Sequence, residues 1–145
     1  MKGFTVKQSI KLQASPSEVW RALTDPEEIK KYFYGTNAVS DWKVGSSIVF
    51  KGEWEGQPYE DKGTILELIP GEKLVYNYWS SFSGQEDIPE NYANITYQLT
   101  PQQDGTLLEI TQDGIESEEK RAHSESSWRS VLESLKEILY SKSMA

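Results

Sequence analysis

The 145-residue chain has no cysteine. That excludes a disulfide framework, thiolate metal sites and a cysteine nucleophile. It has one histidine, His123, which cannot form a multi-histidine metal centre. Basic residues are in deficit, 15 against 23 acidic ones, for a formal charge of −8. A general electrostatic grip on nucleic-acid phosphates is therefore not expected. No stretch approaches the ~20 consecutive apolar residues that span a bilayer, so stable membrane insertion is not expected. Residues 1–12 set single apolar side chains between polar ones and lack the apolar core of a secretory signal. A soluble, cytoplasmic protein is the expectation. G-x-S-x-G, phosphate-loop and dinucleotide patterns are missing, as is Asp-x-Asp ligand spacing for a hard cation. These absences point to no cofactor, no metal and no assigned catalytic residue.

What is present is an aromatic content of 12% and a clear order of segments. A chain this long buries roughly 70% of the surface its unfolded form exposes, enough for a core without staples. Phe4, Val6, Ile10 and Leu12 alternate with polar residues, Gln8 being the one polar member of their row, which predicts a strand with one wet face. Ser15-Pro16-Ser17-Glu18 is a capping box, and Asp25-Pro26-Glu27-Glu28 repeats the design, so two short helices follow. Pro26 ends the first near Thr24. From Gly35 to Gln112 strands and turns are expected. Ser47–Trp54 places Ile48, Phe50 and Trp54 on one face. Gly56-Gln57-Pro58 reads as a turn. Residues 59–69 form the next strand, with no consistent facing around Ile65, Leu66 and Leu68. Pro70-Gly71 turns the chain into residues 74–80, with Tyr76 and Tyr78 on one face and Trp79 on the other. Residues 94–100 point Ile95, Tyr97 and Leu99 inward. Asp104-Gly105 leads to Leu108 and Ile110. The short connections imply antiparallel pairing. Residues 81–91 read as a loop that could form a rim or lid.

Residues 117–140 predict one long helix, with Trp128, Val131, Leu132, Leu135, Ile138 and Leu139 recurring at three and four residues. Its first turns carry almost nothing large and apolar, so that half is expected to be exposed or to face a cavity. With no repeat, low-complexity tract or linker, residues 1–145 are expected to form one domain. The order is strand, two short helices, a run of strands and a long helix. It predicts an α+β fold in which a curved antiparallel sheet of about six or seven strands wraps around the C-terminal helix.

The run Ala14-Ser15-Pro16-Ser17-Glu18-Val19-Trp20-Arg21-Ala22-Leu23-Thr24-Asp25-Pro26 resembles the opening of the START-like superfamily, also called the polyketide cyclase or Bet v 1-like fold. Several features resemble its branch named after the activator of Hsp90 ATPase. These are Asp41-Trp42-Lys43-Val44-Gly45, the segment from Gly63 through Pro70-Gly71 to Val75, Asp104-Gly105-Thr106, and Trp128 with Val131 and Leu132. This chain has Gly45-Ser46 where the family often pairs glycines, and Ser127 where it often has glycine before the helix tryptophan. The resemblance implies a helix-grip fold with an internal cavity for an apolar ligand; members include lipid carriers, hormone receptors and cyclases.

Trp54, Tyr76, Tyr78, Tyr97 and Trp128 fall on inner rows or on the covering helix and are the expected cavity-lining residues. The tyrosine hydroxyls would be the few polar anchors such pockets use. His123 shares a helix face with Glu119 and Ser127 and is a candidate hydrogen-bonding group at the mouth. The strand acids Glu53, Asp61, Glu67 and Glu109 are expected mostly on the wet face. The expected function is binding of a small hydrophobic or aromatic molecule. A cyclase- or hydratase-type enzyme acting on an aromatic or polyketide-like substrate is one alternative, and a stress protein with Hsp90 as chaperone partner is another. Assembly as a homodimer is left open.

Overall fold

The alternating segment at the start forms β1 (Phe4–Leu12) in a computed structural model that describes residues 3–33, 35–80 and 85–144, with the side chains of Trp54 and residues 141–144 outside the described set. Its inward row, Val6, Gln8, Ile10 and Leu12, is buried, whereas Phe4 stays exposed. Gln8 enters the core because its amide is bound at both ends by the long helix. Its Nε2 donates to the Glu125 carbonyl at 3.2 Å and its Oε1 accepts from Arg129.

Both helix starts behave as their sequences dictate. In α1 (Pro16–Thr24) Ser15 accepts from the Glu18 amide while Glu18 reaches back to the Ser15 amide. In α2 (Pro26–Tyr32) Asp25 accepts from the Glu27 amide. Tyr32 ties the two helices together by donating to the Ala22 carbonyl at 2.8 Å.

The remaining strands are β2 (Asn37–Ser40), β3 (Ser47–Trp54), β4 (Gln57–Ile69), β5 (Lys73–Tyr78), β6 (Ala93–Gln102) and β7 (Gly105–Ile115). All pair antiparallel in one curved seven-stranded sheet of order β1-β7-β6-β5-β4-β3-β2. The long helix α3 (Glu118–Met144) packs across β1 and β7 and against α2. Its residues Trp128, Val131, Leu132, Leu135 and Leu139 are buried against the sheet.

Three local expectations are corrected. The β3–β4 turn is tighter than Gly56-Gln57-Pro58. Glu55 and Gly56 alone turn the chain at φ 51° and 80°, the geometry of a two-residue hairpin loop, and Gln57 and Pro58 already pair with Trp54 and Glu53. The uncertain facing near Leu66 is a β-bulge. Ile65 pairs with Tyr76 and Glu67 with Val75, so Leu66 is an extra residue that switches the inward row and stands 45% exposed. β7 runs past Gln112 to Ile115 through a second bulge, where Gly114 takes φ 66°. Of the expected loop, residues 81–84 lie outside the described residues, and Pro89–Asn91 forms a single 3-10 turn.

Candidate functional site

Five aromatic rings close a circuit in the core. Phe33 stacks on Phe50 at 5.9 Å, Phe50 meets Tyr76 at 5.9 Å, Tyr76 meets Tyr97 edge-on at 5.8 Å, Tyr97 meets Trp128 at 6.1 Å, and Trp128 returns to Phe33 at 6.3 Å. Edge-to-face contacts at these separations are the favoured geometry of aromatic pairs. The circuit anchors Trp128 at the point where α3 changes character. Toward the C-terminus the sheet-facing row is Val131, Leu132, Leu135 and Leu139. Toward the N-terminus the same face carries Ser127, Ser124, His123 and Lys120. Serines cannot fill the space that leucines fill lower down, and a cavity of about 440 Å³ remains between α3 and strands β5–β7.

The floor and the mouth differ. Tyr76, Ile95, Trp128 and Val131 are buried at the floor. Around the mouth lie Gln85, Glu116, Lys120 and His123. Glu116 accepts from Gln85 Nε2 and pairs with Lys120 at 3.4 Å. His123 is exposed, and its imidazole makes no hydrogen bond among the described residues.

Three side-chain hydrogen bonds hold aromatic residues in and behind the wall. Trp128 Nε1 donates to Gln112 Oε1 at 2.7 Å. Tyr76 and Tyr97 share a buried hydroxyl–hydroxyl bond of 3.0 Å. Tyr78 Oη donates to Asp61 Oδ2 at 2.5 Å. Burial, and then the neighbouring Tyr97, hold the Tyr76 phenol far above its ordinary range; burial pushes Tyr97 up to about 12, against the opposing effect of its hydrogen bond with Tyr76. Burial and then the Asp61 carboxylate raise Tyr78 in the same way. The three phenols are neutral near pH 7 and act there as hydrogen-bonding groups. Among the described residues no group of three or more His, Cys, Asp or Glu side chains is placed to hold a metal.

Tyr76, Tyr78, His123 and Trp128 of the sequence candidates surround this one cavity. Tyr97 does not. It stands behind Tyr76 and borders a separate void of about 10 Å³, too small for a ligand. The Trp54 side chain lies outside the described residues. Trp79, expected on the face opposite Tyr76 and Tyr78, lines the cavity as well; it stands just past the end of β5 and is held to β4 by a two-bond bridge with Lys62. Its indole donates to the Gln85 carbonyl at 3.2 Å. Asp61 is also corrected: it is 8% exposed, on an inward row opposite Phe50, not on the wet face. Phe33 and Gln112 were not singled out as lining residues. Phe33 follows a helix end, and Gln112 continues the Leu108–Ile110 row but is polar, so neither carries an apolar periodic signal.

A family model described as Activator of Hsp90 ATPase homolog 1-like protein matches residues 13–140. Among solved structures, ChR145 from Cytophaga hutchinsonii, determined in solution, is 44% identical, with 100% of this chain and 99% of that one covered and a TM-score of 0.86. The Aha1 dimer from Colwellia psychrerythraea is 23% identical over 94% of this chain and 96% of that one, with a TM-score of 0.75. DynU16, from the dynemicin biosynthetic locus, is 18% identical over 94% of this chain and 47% of that one, with a TM-score of 0.79. At these lower identities the last two show the shared fold. No curated protein matches the sequence.

Proposed function

This chain belongs to the family of Activator of Hsp90 ATPase homolog 1-like proteins, and from that premise we propose that it binds a small hydrophobic or aromatic molecule in the cavity between α3 and β5–β7. The observation that carries the reading is the graded lining of the 440 Å³ space, with buried aromatic and aliphatic side chains at the floor and polar groups at the mouth. Ligand pockets have this character and fall in the size range of about 300–1,000 Å³. Tyr76, Tyr78 and Trp128 are assigned the floor contacts and His123 the mouth. Tyr97 acts through Tyr76 as a positioning residue. The test is a titration of the protein with a panel of fatty acids, flavonoids and simple biaryls, followed by tryptophan fluorescence and by calorimetry. Saturable quenching with matching heat supports the reading. Absence of binding across the panel removes it.

The family match motivates a second reading, contact with Hsp90. It is tested by adding the chain to Hsp90 and measuring ATP hydrolysis. A concentration-dependent rate increase supports it and an unchanged rate removes it. The dimeric Colwellia relative motivates self-association, which sedimentation of the purified chain decides. A cyclase-type reaction would use the same cavity, with its neutral phenols orienting a substrate by hydrogen bonds.

A further inference from the structure

On the inward row of β7, Gln112 follows Leu108 and Ile110. Across the ladder it pairs with Val6 of β1 and Ile95 of β6, both buried and apolar. Its side chain is half-buried and lines the cavity. The orientation of its amide follows from its partner. An indole N–H only donates, so the atom that receives Trp128 Nε1 at 2.7 Å is the carbonyl oxygen. The two amide protons therefore lie on the other side of the group. The nitrogen that carries them has no hydrogen-bond partner among the described residues, and it is not sealed from open space. Turning the amide over would strand the indole N–H, so Gln112 is a donor of fixed polarity. The hydroxyls of Ser124 and Ser127 on the same wall can donate or accept and impose no such choice. Lys120 also only donates, but it stands at the mouth and pairs with Glu116.

We propose that the cavity takes an apolar ligand carrying a neutral carbonyl, as in an aryl or alkyl ketone, whose oxygen accepts from Gln112 Nε2 while its apolar groups lie against Trp128 and Ile95. This rests on the ligand-binding role proposed above and names both the ligand class and the residue that selects it. Accepting from Trp128 polarises the Gln112 amide and strengthens its N–H groups as donors. A ligand with no acceptor at that point leaves a donor unsatisfied among apolar neighbours, and such a mismatch discriminates more sharply than shape does. A carboxylate is a poor substitute, because desolvating its charge beside Ile95 and Trp128 costs more than one neutral donor returns.

The test is a matched pair of probes, benzophenone and 1,1-diphenylethylene, titrated into the intact chain and into two variants at pH 8. The alkene keeps the two rings and the planar centre and removes only the acceptor. It is also the more apolar probe, so the quantity to follow is how the ratio of the two affinities changes on substitution. In Gln112→Glu the carboxylate, ionised at this pH, still accepts from Trp128 and has no proton to give. In Gln112→Met a side chain of similar length offers neither. The expected result is that the ketone-to-alkene ratio falls about tenfold in both variants, the size of one well-made hydrogen bond, through loss of affinity for the ketone. In the nitrogen-15-labelled chain, benzophenone should move the Gln112 side-chain amide resonances, identified by their disappearance in Gln112→Met, far more than the alkene does. A ratio that both substitutions leave unchanged overturns the inference and leaves the cavity reading standing. So does a failure of benzophenone to bind where members of the earlier panel do. If neither probe nor any member of that panel binds, the ligand-binding reading fails, and this inference fails with it.

Discussion

The buried pair Tyr76–Tyr97 shows how one hydroxyl serves two purposes. Each ring fills core space, and each hydroxyl is the other's partner at 3.0 Å. Tyr97→Phe deletes one hydroxyl and strands the other in an apolar setting, so the expected cost is about 1–3 kcal/mol. Urea unfolding should show this as a lower midpoint at unchanged slope. The double variant with Tyr76→Phe should cost less than the sum of the two single changes, since no orphan remains. The phenols also set the alkaline limit. Tyr97 ionises at about 12 in the fold against the ordinary value of 10.0, because burial disfavours the charged form. Below pH 10 both folded and unfolded states are protonated there and stability is unaffected. From about pH 10 upward the unfolded state loses this proton first, so stability falls until the folded value is passed. Thermal unfolding followed from pH 8 to 12 should be flat at first and then decline, in step with tyrosinate absorbance on unfolding. The inward positions of Tyr76 and Tyr97 could be read from alternation alone. That of Asp61 could not. It sits in Tyr59-Glu60-Asp61-Lys62-Gly63, where neither row is apolar, and only pairing with Phe50 reveals that it points inward.

Elements fix what the side chains can reach. β4 and β5 approach so closely at Gly63 that a Cβ there would lie 1.7 Å from the Asn77 carbonyl oxygen. Asn77 also bonds back to β4, accepting from the Thr64 amide at 2.7 Å. Gly63→Ala must push the strands apart beside Tyr78 and Asp61, at an expected cost of about 3 kcal/mol in unfolding measurements. On α3 the reverse experiment applies. Ser124→Leu continues the apolar stripe of Val131 and Leu135 into the cavity. Filling such a space is expected to raise stability by about 1 kcal/mol, seen as a higher Tm, while ligand affinity falls at least tenfold. A variant that is more stable yet still binds would place the ligand elsewhere. The helices were legible in detail because caps and a 3.6-residue period leave strong local marks, and the α1 capping box is present as read. The bulge at Leu66 was legible only as an ambiguity. An inserted residue breaks a two-residue period without announcing where the row resumes. The four-residue strand β2 was too short for a period to register.

The molecule as a whole is a curved sheet closed along one face by a helix whose two halves do different work. The C-terminal half of α3 holds the fold together through Leu132, Leu135 and Leu139. The N-terminal half, lined by serines and His123, keeps space open over the aromatic circuit. That division was visible in the one-dimensional pattern, where the large apolar residues begin only at Trp128. The volume left beneath the serines was not, because it depends on how sharply the sheet curves and on where Trp79 and Gly114 come to lie. The exposed apolar residues Val39 and Val44 lie on or next to the β2 edge and do not line this space. They therefore serve as an internal control. The most direct measurement is a titration of the isotope-labelled protein with 4-hydroxybiphenyl, recording backbone amide shifts. Saturable shifts should gather at Tyr78, Ala93, Ile95, Gly114, Ser124 and Ser127 and leave Val39 and Val44 unmoved. Shifts confined to the β2 edge, or none with the probe in large excess, would contradict the account.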